Sequence, residues 1–310
     1  GSLGENSRLS SVLSFLNRCC SPMGRRKFQN QLTSPTFDIE WLNQEYHTIG
    51  HLLSDSQYEL VDFFRKMLTQ MRDMDKLSRQ LVLKKIFPSS IFHLYTSLQK
   101  IQQINMCLAE DSTLCKYLCN DFTSLHSHDN YTYVEKISKD AIDYIDSKLL
   151  MDKCKLVSSL TAFPENIIHK GVSEELDKAV AKYTESQTMF TEIQRALNQA
   201  VESSDMEYIR VHETDKSGLS LQITIKRSQL LKNAADKTYY KNNPIKVNGR
   251  EGKELSFMLG DVKFVRSTAS NYAIDLPILT DVCKTLLYYK NALNQMIANT
   301  YLTVLGDIEE

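Results

Sequence analysis

Glycine and proline are scarce, at ten and six among 310 residues. That disfavours a turn-rich β fold and favours long uninterrupted helices. No glycine opens a G-x-x-x-x-G-K-[ST] phosphate loop or a G-x-G-x-x-G turn, and neither H-E-x-x-H nor G-x-S-x-G occurs. Most carboxylates alternate with lysine on helical patterns, as on a solvated face, and no pair stands out as acid and base. The chain is therefore read as not an enzyme and as holding no cofactor of its own. No apolar run approaches the roughly 18 residues needed to cross a bilayer, so no membrane partner is expected. No secretory signal is visible, and the first residue is not Met, which suits a piece of a longer protein. The seven cysteines are odd in number and scattered, as reduced thiols of an intracellular protein are. Cys115-x3-Cys119 with His126 and His128 has helix-turn spacing, but no second cysteine pair or ordered histidine pair completes a zinc set. Buried thiols are the preferred reading.

What is present is helical periodicity. Leu9, Val12, Leu13 and Leu16 begin it; Ser21-Pro22 restarts a helix through Phe28 and Leu32, and Asp38 can cap the next, bearing Trp41, Leu42 and Tyr46. One further helix is predicted over Tyr58 to Leu83, another from Pro88 through Ile104, and another from Tyr133 to about Leu160. Two later apolar stripes run longer. Val172, Leu176, Val180, Tyr183, Phe190, Ile193, Leu197 and Val201 form one. Leu279, Val282, Leu286, Tyr289, Leu293, Met296, Tyr301 and Val304 form the other, after an Asp275 cap and an early Pro277. Each implies about 30 residues and roughly 45 Å of helix, against an average of about 11–12 residues in globular domains.

Between these stripes the period becomes two. Leu219 to Lys226 alternates strictly, as a half-buried strand does, and Tyr208, Ile209 and Val211 look like its partner across an Asp215–Gly218 turn. Phe257 to Val265 suggests another strand after the Asn248-Gly249 turn signal. The expectation is a long helix out, a small β module, and a long helix back.

Charge is concentrated in that module. The whole chain carries only −1, yet Lys216, Lys226, Arg227, Lys232, Lys237, Lys241, Lys246 and Arg250 face the single acid Asp236 between residues 216 and 250, giving +7 there and −8 elsewhere. Tyr239 and Tyr240 stand among these lysines and could lie against sugar or base edges. Such an excess suits a phosphate backbone, and nothing in it suggests base readout. The residues alone leave open a solvated lysine-rich loop from Lys232 to Lys253.

Several short motifs resemble the MutS family of mismatch-repair proteins, in the right order over nearly the whole chain. Ser10 to Asn17 followed by Ser21-Pro22-Met23-Gly24-Arg25-Arg26 resembles the family's "LL-x-x-LD…TPMGRR", the most specific piece. Asp73 to Leu77 resembles "DLER", Gly171 to Asp177 resembles "GYDAELDELR", Leu219 to Ile225 falls where the family has "GYYIEV", and Ala269 to Pro277 resembles "NAERY-x-x-PEL". Gln80 departs from the family's Arg, and residues 237–252 are an unusual Lys/Asn-rich insertion, as in a divergent branch of viral or organellar type.

The resemblance implies a mainly α fold: a helical core at 1–170, a descending lever helix at 171–205, a small antiparallel β clamp at 206–272 and an ascending lever at 273–310, the levers antiparallel. It implies two subunits, identical or paralogous, enclosing double-stranded DNA. The mismatch reader would precede residue 1, and the ATPase, with its ATP and Mg²⁺, would follow residue 310. Arg227 falls where the family has a clamp Arg and is the first expected DNA contact, followed by Lys226 and Lys232; Arg25 and Arg26 are expected to bond helix ends. A helical scaffold or tether for partner proteins is the alternative function.

Overall fold

A computed structural model describes residues 11–121, 130–201, 207–214, 218–250 and 252–309. They divide into two units, residues 1–169 with 301–310, and residues 170–300. In the first unit the helices are α1 (Val12–Leu16), α2 (Pro22–Thr33), α3 (Ile39–Leu52), α4 (Tyr58–Gln70), α5 (Met74–Val82), α6 (Pro88–Glu110), α7 (Ser112–Asp121), α8 (Asn130–Lys148) and α9 (Met151–Cys154). Their starts follow from local chemistry. Ser21 accepts the Gly24 N–H at 3.1 Å with Pro22 at the first helical position, and Asp38 accepts the Trp41 N–H at 3.1 Å, satisfying donors that have no partner within the helix.

The helix expected from Tyr58 to Leu83 is two. It breaks after Gln70, and Asp73 caps α5 by accepting the Lys76 N–H at 3.3 Å. An aspartate offers the backbone a cap that competes with helix continuation, and apolar periodicity on either side conceals the break. The core of this unit gathers Ile86, Ile91, Ile145, Leu149, Cys154, Ile167 and Ile168, each at most 1 % exposed. Tyr301 is fully buried among the residues of this unit, and its hydroxyl donates to the Ile86 carbonyl at 3.1 Å. Burial pushes its phenol well above the ordinary range.

The second unit begins with α10 (Glu174–Ala200), capped by Ser173 and carrying Glu174, Glu175 and Asp177 in its first turn, where the helix dipole favours acids. Then follow β1 (Ile209–Thr214), β2 (Gly218–Thr224), α11 (Ile225–Ala235), α12 (Thr238–Asn242), β3 (Ile245–Asn248), β4 (Glu254–Phe257), β5 (Lys263–Arg266), β6 (Asn271–Asp275) and α13 (Pro277–Glu309), whose final residues from 301 onward belong to the first unit. One antiparallel sheet has the order β1-β2-β6-β5, and β3 pairs with β4 as a separate hairpin. Met189, Phe190, Ile193 and Leu197 from the C-terminal half of α10 share a core with Leu279 and Leu286 from the N-terminal half of α13, closed by Ile209, Leu221, Ile223, Leu231 and Ile274. The chain thus is mainly α with a small antiparallel β module between two long helices.

Three expectations within the module need correction. The alternation to Lys226 suggests a strand throughout, but β2 ends at Thr224, whose hydroxyl accepts the Arg227 N–H at 3.3 Å and starts α11. Period two gives way there to buried Ser228, Leu231 and Ala234 at helical spacing. Phe257 to Val265 is not one strand: Phe257 ends β4, residues 259–261 form a 3-10 turn, and β5 begins at Lys263 in the other sheet. Asp275 does not cap α13; it is the last residue of β6, opposite Lys263, and Thr280 N–H takes the Leu276 carbonyl instead.

Candidate nucleic-acid interface

On β1, side chains alternate between the two faces of the sheet. Ile209 points inward and is buried, Arg210 and His212 fall on the opposite face, and Glu213 returns to the inner side, where its carboxylate binds Lys290 of α13 at 2.5 Å. One strand therefore sorts its cations from its acid. The start of β1 is pinned by Asn198 of α10. Its Oδ1 accepts from the Tyr208 and Ile209 N–H groups at 3.0 and 2.9 Å, while its Nδ2 and Gln194 Nε2 donate to the Ile209 carbonyl.

β1, β2, the first turn of α11 and the segment before β6 surround a concave groove of about 810 Å³. Among the described residues its charged lining is Arg210, Lys226 and Arg227, with His212 beside them, and no acid lines it; Gln222, Ser270 and Asn271 supply amide and hydroxyl groups. Arg227 is half-buried, its guanidinium 4.4 Å from the centroid of the Tyr208 ring, an arrangement worth roughly 0.5–2 kcal/mol according to how far it is desolvated. Lys226 and Arg227 stand in the first turn of α11, which holds no acid. Cations there oppose the helix dipole by roughly 0.3–1 kcal/mol each, and an anion in the groove would relieve both that and their mutual repulsion.

The remaining expected contacts lie elsewhere. Lys232, in the last turn of α11, sits 5.2 Å from the Phe264 ring, lining a second groove of about 710 Å³ with Tyr240 and Lys241. Asp236 and Asp261 line it too, and Asp236 takes Lys241 at 3.4 Å. Lys246 on β3 is paired across the hairpin with Glu254 at 2.8 Å, which holds its ammonium above the ordinary value. Lys237 precedes α12 as its N-cap residue. The Arg250 backbone N–H donates to Glu185 of α10 at 2.9 Å. The neighbouring Gly249 approaches so closely that a Cβ would stand 1.8 Å from Glu185 Oε1. Lys216 lies outside the described residues. The segment from Lys232 to Lys253, left open as a lysine-rich loop, carries among its described residues the end of α11, α12 and β3, which pairs with β4.

Arg210 and His212 are groove residues that the count from Lys216 onward misses; the alternation of β1 after Ile209 was the signal for both. In the first unit, Arg26 binds Asp73 bidentately at 2.6 and 2.8 Å and also reaches Asp75, while Arg25 Nε donates to the Cys19 carbonyl. Arg26 therefore joins α2 to the start of α5, as expected, whereas Arg25 bonds the connection before its own helix and not a helix end. Cys115 is half-buried; the side chain of Cys119, with His126 and His128, lies outside what is described. Among the described residues no three His, Cys, Asp or Glu side chains gather as a metal site, and no helix is long and apolar enough to cross a membrane.

The family model of MutS domain III matches residues 2–299. A putative DNA mismatch repair protein, a mutS homolog of Acanthamoeba polyphaga mimivirus, is 20 % identical over 92 % of this chain and 25 % of its own length. The DNA mismatch repair protein MutS of Caldanaerobacter subterraneus subsp. tengcongensis is 20 % identical over 61 % of this chain and 20 % of its own length. The chain thus spans about a quarter or less of the relatives it matches.

Proposed function

The chain belongs to the MutS family, as its domain III, and from that premise we propose that its β module holds duplex DNA by the phosphate backbone. The observation that carries this reading is the groove lined by Arg210, Lys226 and Arg227 and, among the described residues, by no acid. Its guanidinium, ammonium, amide and hydroxyl donors suit phosphate oxygens, and the contact proposed is with the backbone and independent of sequence. Each phosphate neutralised releases counterions, which supplies affinity and makes it fall steeply with salt. In the full-length protein two such subunits, identical or paralogous, enclose the duplex, and the long helices α10 and α13 transmit its presence to an ATPase in another part of the protein. The residues present do not fit ATP and Mg²⁺, since no phosphate-loop motif occurs among them. No hydrolytic step is assigned to this chain.

Replacing Lys226, Arg227 and Lys232 together with Glu is expected to abolish duplex binding measured by fluorescence anisotropy at low salt. Matched and mismatched duplexes should bind the unmodified chain equally. Binding that survives the triple replacement unchanged would remove the module from the interface. A second reading, a scaffold that tethers partner proteins, is favoured by exposed apolar side chains in the first unit, among them Phe37, Ile39, Leu53 and Tyr58. Duplex affinity no greater than that of a neutral helical protein would select it.

A further inference from the structure

The groove contains two arginines of different kinds. Arg227 rests on Tyr208, its guanidinium 4.4 Å from the ring centroid, with its backbone N–H held by Thr224. Arg210 projects from β1, directly opposite Gln222 in the sheet register, and its Nε lies 3.5 Å from the Glu207 carbonyl. Gln222 is itself fastened, donating to Ser267 Oγ at 3.1 Å. Each guanidinium is thus held on one side by its own neighbourhood, and both residues line the same concave surface, in which no carboxylate among the described residues competes for them. The acid of β1, Glu213, is on the other face and engaged by Lys290.

We infer that Arg210 and Arg227 form a two-arginine seat for a single backbone phosphodiester, with Tyr208 as the platform that orients the second guanidinium. Two planar forks meeting one phosphate can each donate a pair of parallel N–H bonds to its non-bridging oxygens, which a lysine ammonium cannot reproduce. A guanidinium already stacked on a ring loses little further freedom when the phosphate arrives. Lys226, exposed at the rim, adds attraction without fixing geometry. Lys232, Lys241, Lys246 and Arg250 lie outside this seat, the middle two already meeting Asp236 and Glu254.

This inference rests on the duplex-binding reading, and salt titration separates the two. Affinity of the 310-residue chain for a matched duplex is measured against salt for the unmodified chain, Arg210→Ala, Arg227→Ala, the double variant, Arg227→Lys and Tyr208→Leu, with thermal melts confirming that each folds. If both arginines grip one phosphate, either alanine variant weakens binding about tenfold or more but leaves the log–log slope nearly unchanged, because one cation still neutralises that phosphate. The double variant then lowers the slope by about 0.9. Arg227→Lys and Tyr208→Leu each weaken binding with the slope retained. Slopes that fall by about 0.9 in each single variant and about 1.8 in the double would mean two separate phosphates and overturn the shared seat. Arg227→Lys binding as tightly as the unmodified chain would overturn the stacked geometry. If none of these variants changes affinity while the Lys226, Arg227 and Lys232 charge reversal does, the seat fails and the duplex-binding reading stands. If no replacement in the module has any effect, or the unmodified chain binds no duplex, both fail.

Discussion

At Asp73 one carboxylate receives the fork of Arg26 while its Oδ1 also accepts the Lys76 N–H. The guanidinium is the main cause that lowers its pKa from an ordinary 3.8 to about 2. A carboxyl that titrates lower in the folded protein stabilises it fully above its ordinary value and progressively less as pH falls toward the folded one. The contact therefore contributes at neutral pH and fades between about 4 and about 2. Asp73→Asn retains a capping oxygen but no charge. Its melting temperature should lie below that of the unmodified chain at pH 7, with the gap closing across this acid range. Two parallel curves would show that the ion pair contributes nothing.

Among the elements, the helix starts at Ser21, Asp38 and Pro88 are legible because cap and apolar stripe agree. The two long helices are legible because their stripes persist for eight turns or so of helix. The β2–α11 junction is not. Leu219-Ser220-Leu221-Gln222-Ile223-Thr224 alternates as a strand should, and Ile225-Lys226 continues the alternation, so only the threonine cap decides where the backbone turns. That misreading matters for function, because it puts Lys226 at the end of a strand and Arg227 beyond it, rather than both in one helical turn beside a groove. The local excess of cations was readable from sequence. Which of them acids already engage depends on contacts such as Lys246 with Glu254, which no one-dimensional pattern displays. Thr224→Ala, which removes the cap, should lower the stability of the second unit by about 1 kcal/mol, read from urea unfolding. It should also weaken duplex binding by loosening Arg227. Unchanged binding with reduced stability would show that the junction does not position that side chain.

For the molecule as a whole, a net charge of −1 predicts no affinity for a polyanion, and the proposed interface depends on opposite charges being kept apart. Charge is divided between regions of the chain, and within β1 it is divided between the faces of a single strand. The second division is set by parity, since strand neighbours point opposite ways. Deleting Val211 would exchange the faces for everything after it, sending Glu213 toward the groove and His212 toward α13. Such a variant should keep its helical circular dichroism and lose duplex binding. Binding retained after the deletion would mean that the strand re-registers freely.

The Asn198 clasp on Ile209 consequently does more than fasten an edge. It works as a start codon does for a message, fixing the frame in which the rest of β1 is read. Length changes in the connections between strands leave that frame intact, whereas a single residue gained or lost within β1 after the clasp would turn the two faces of the strand inside out.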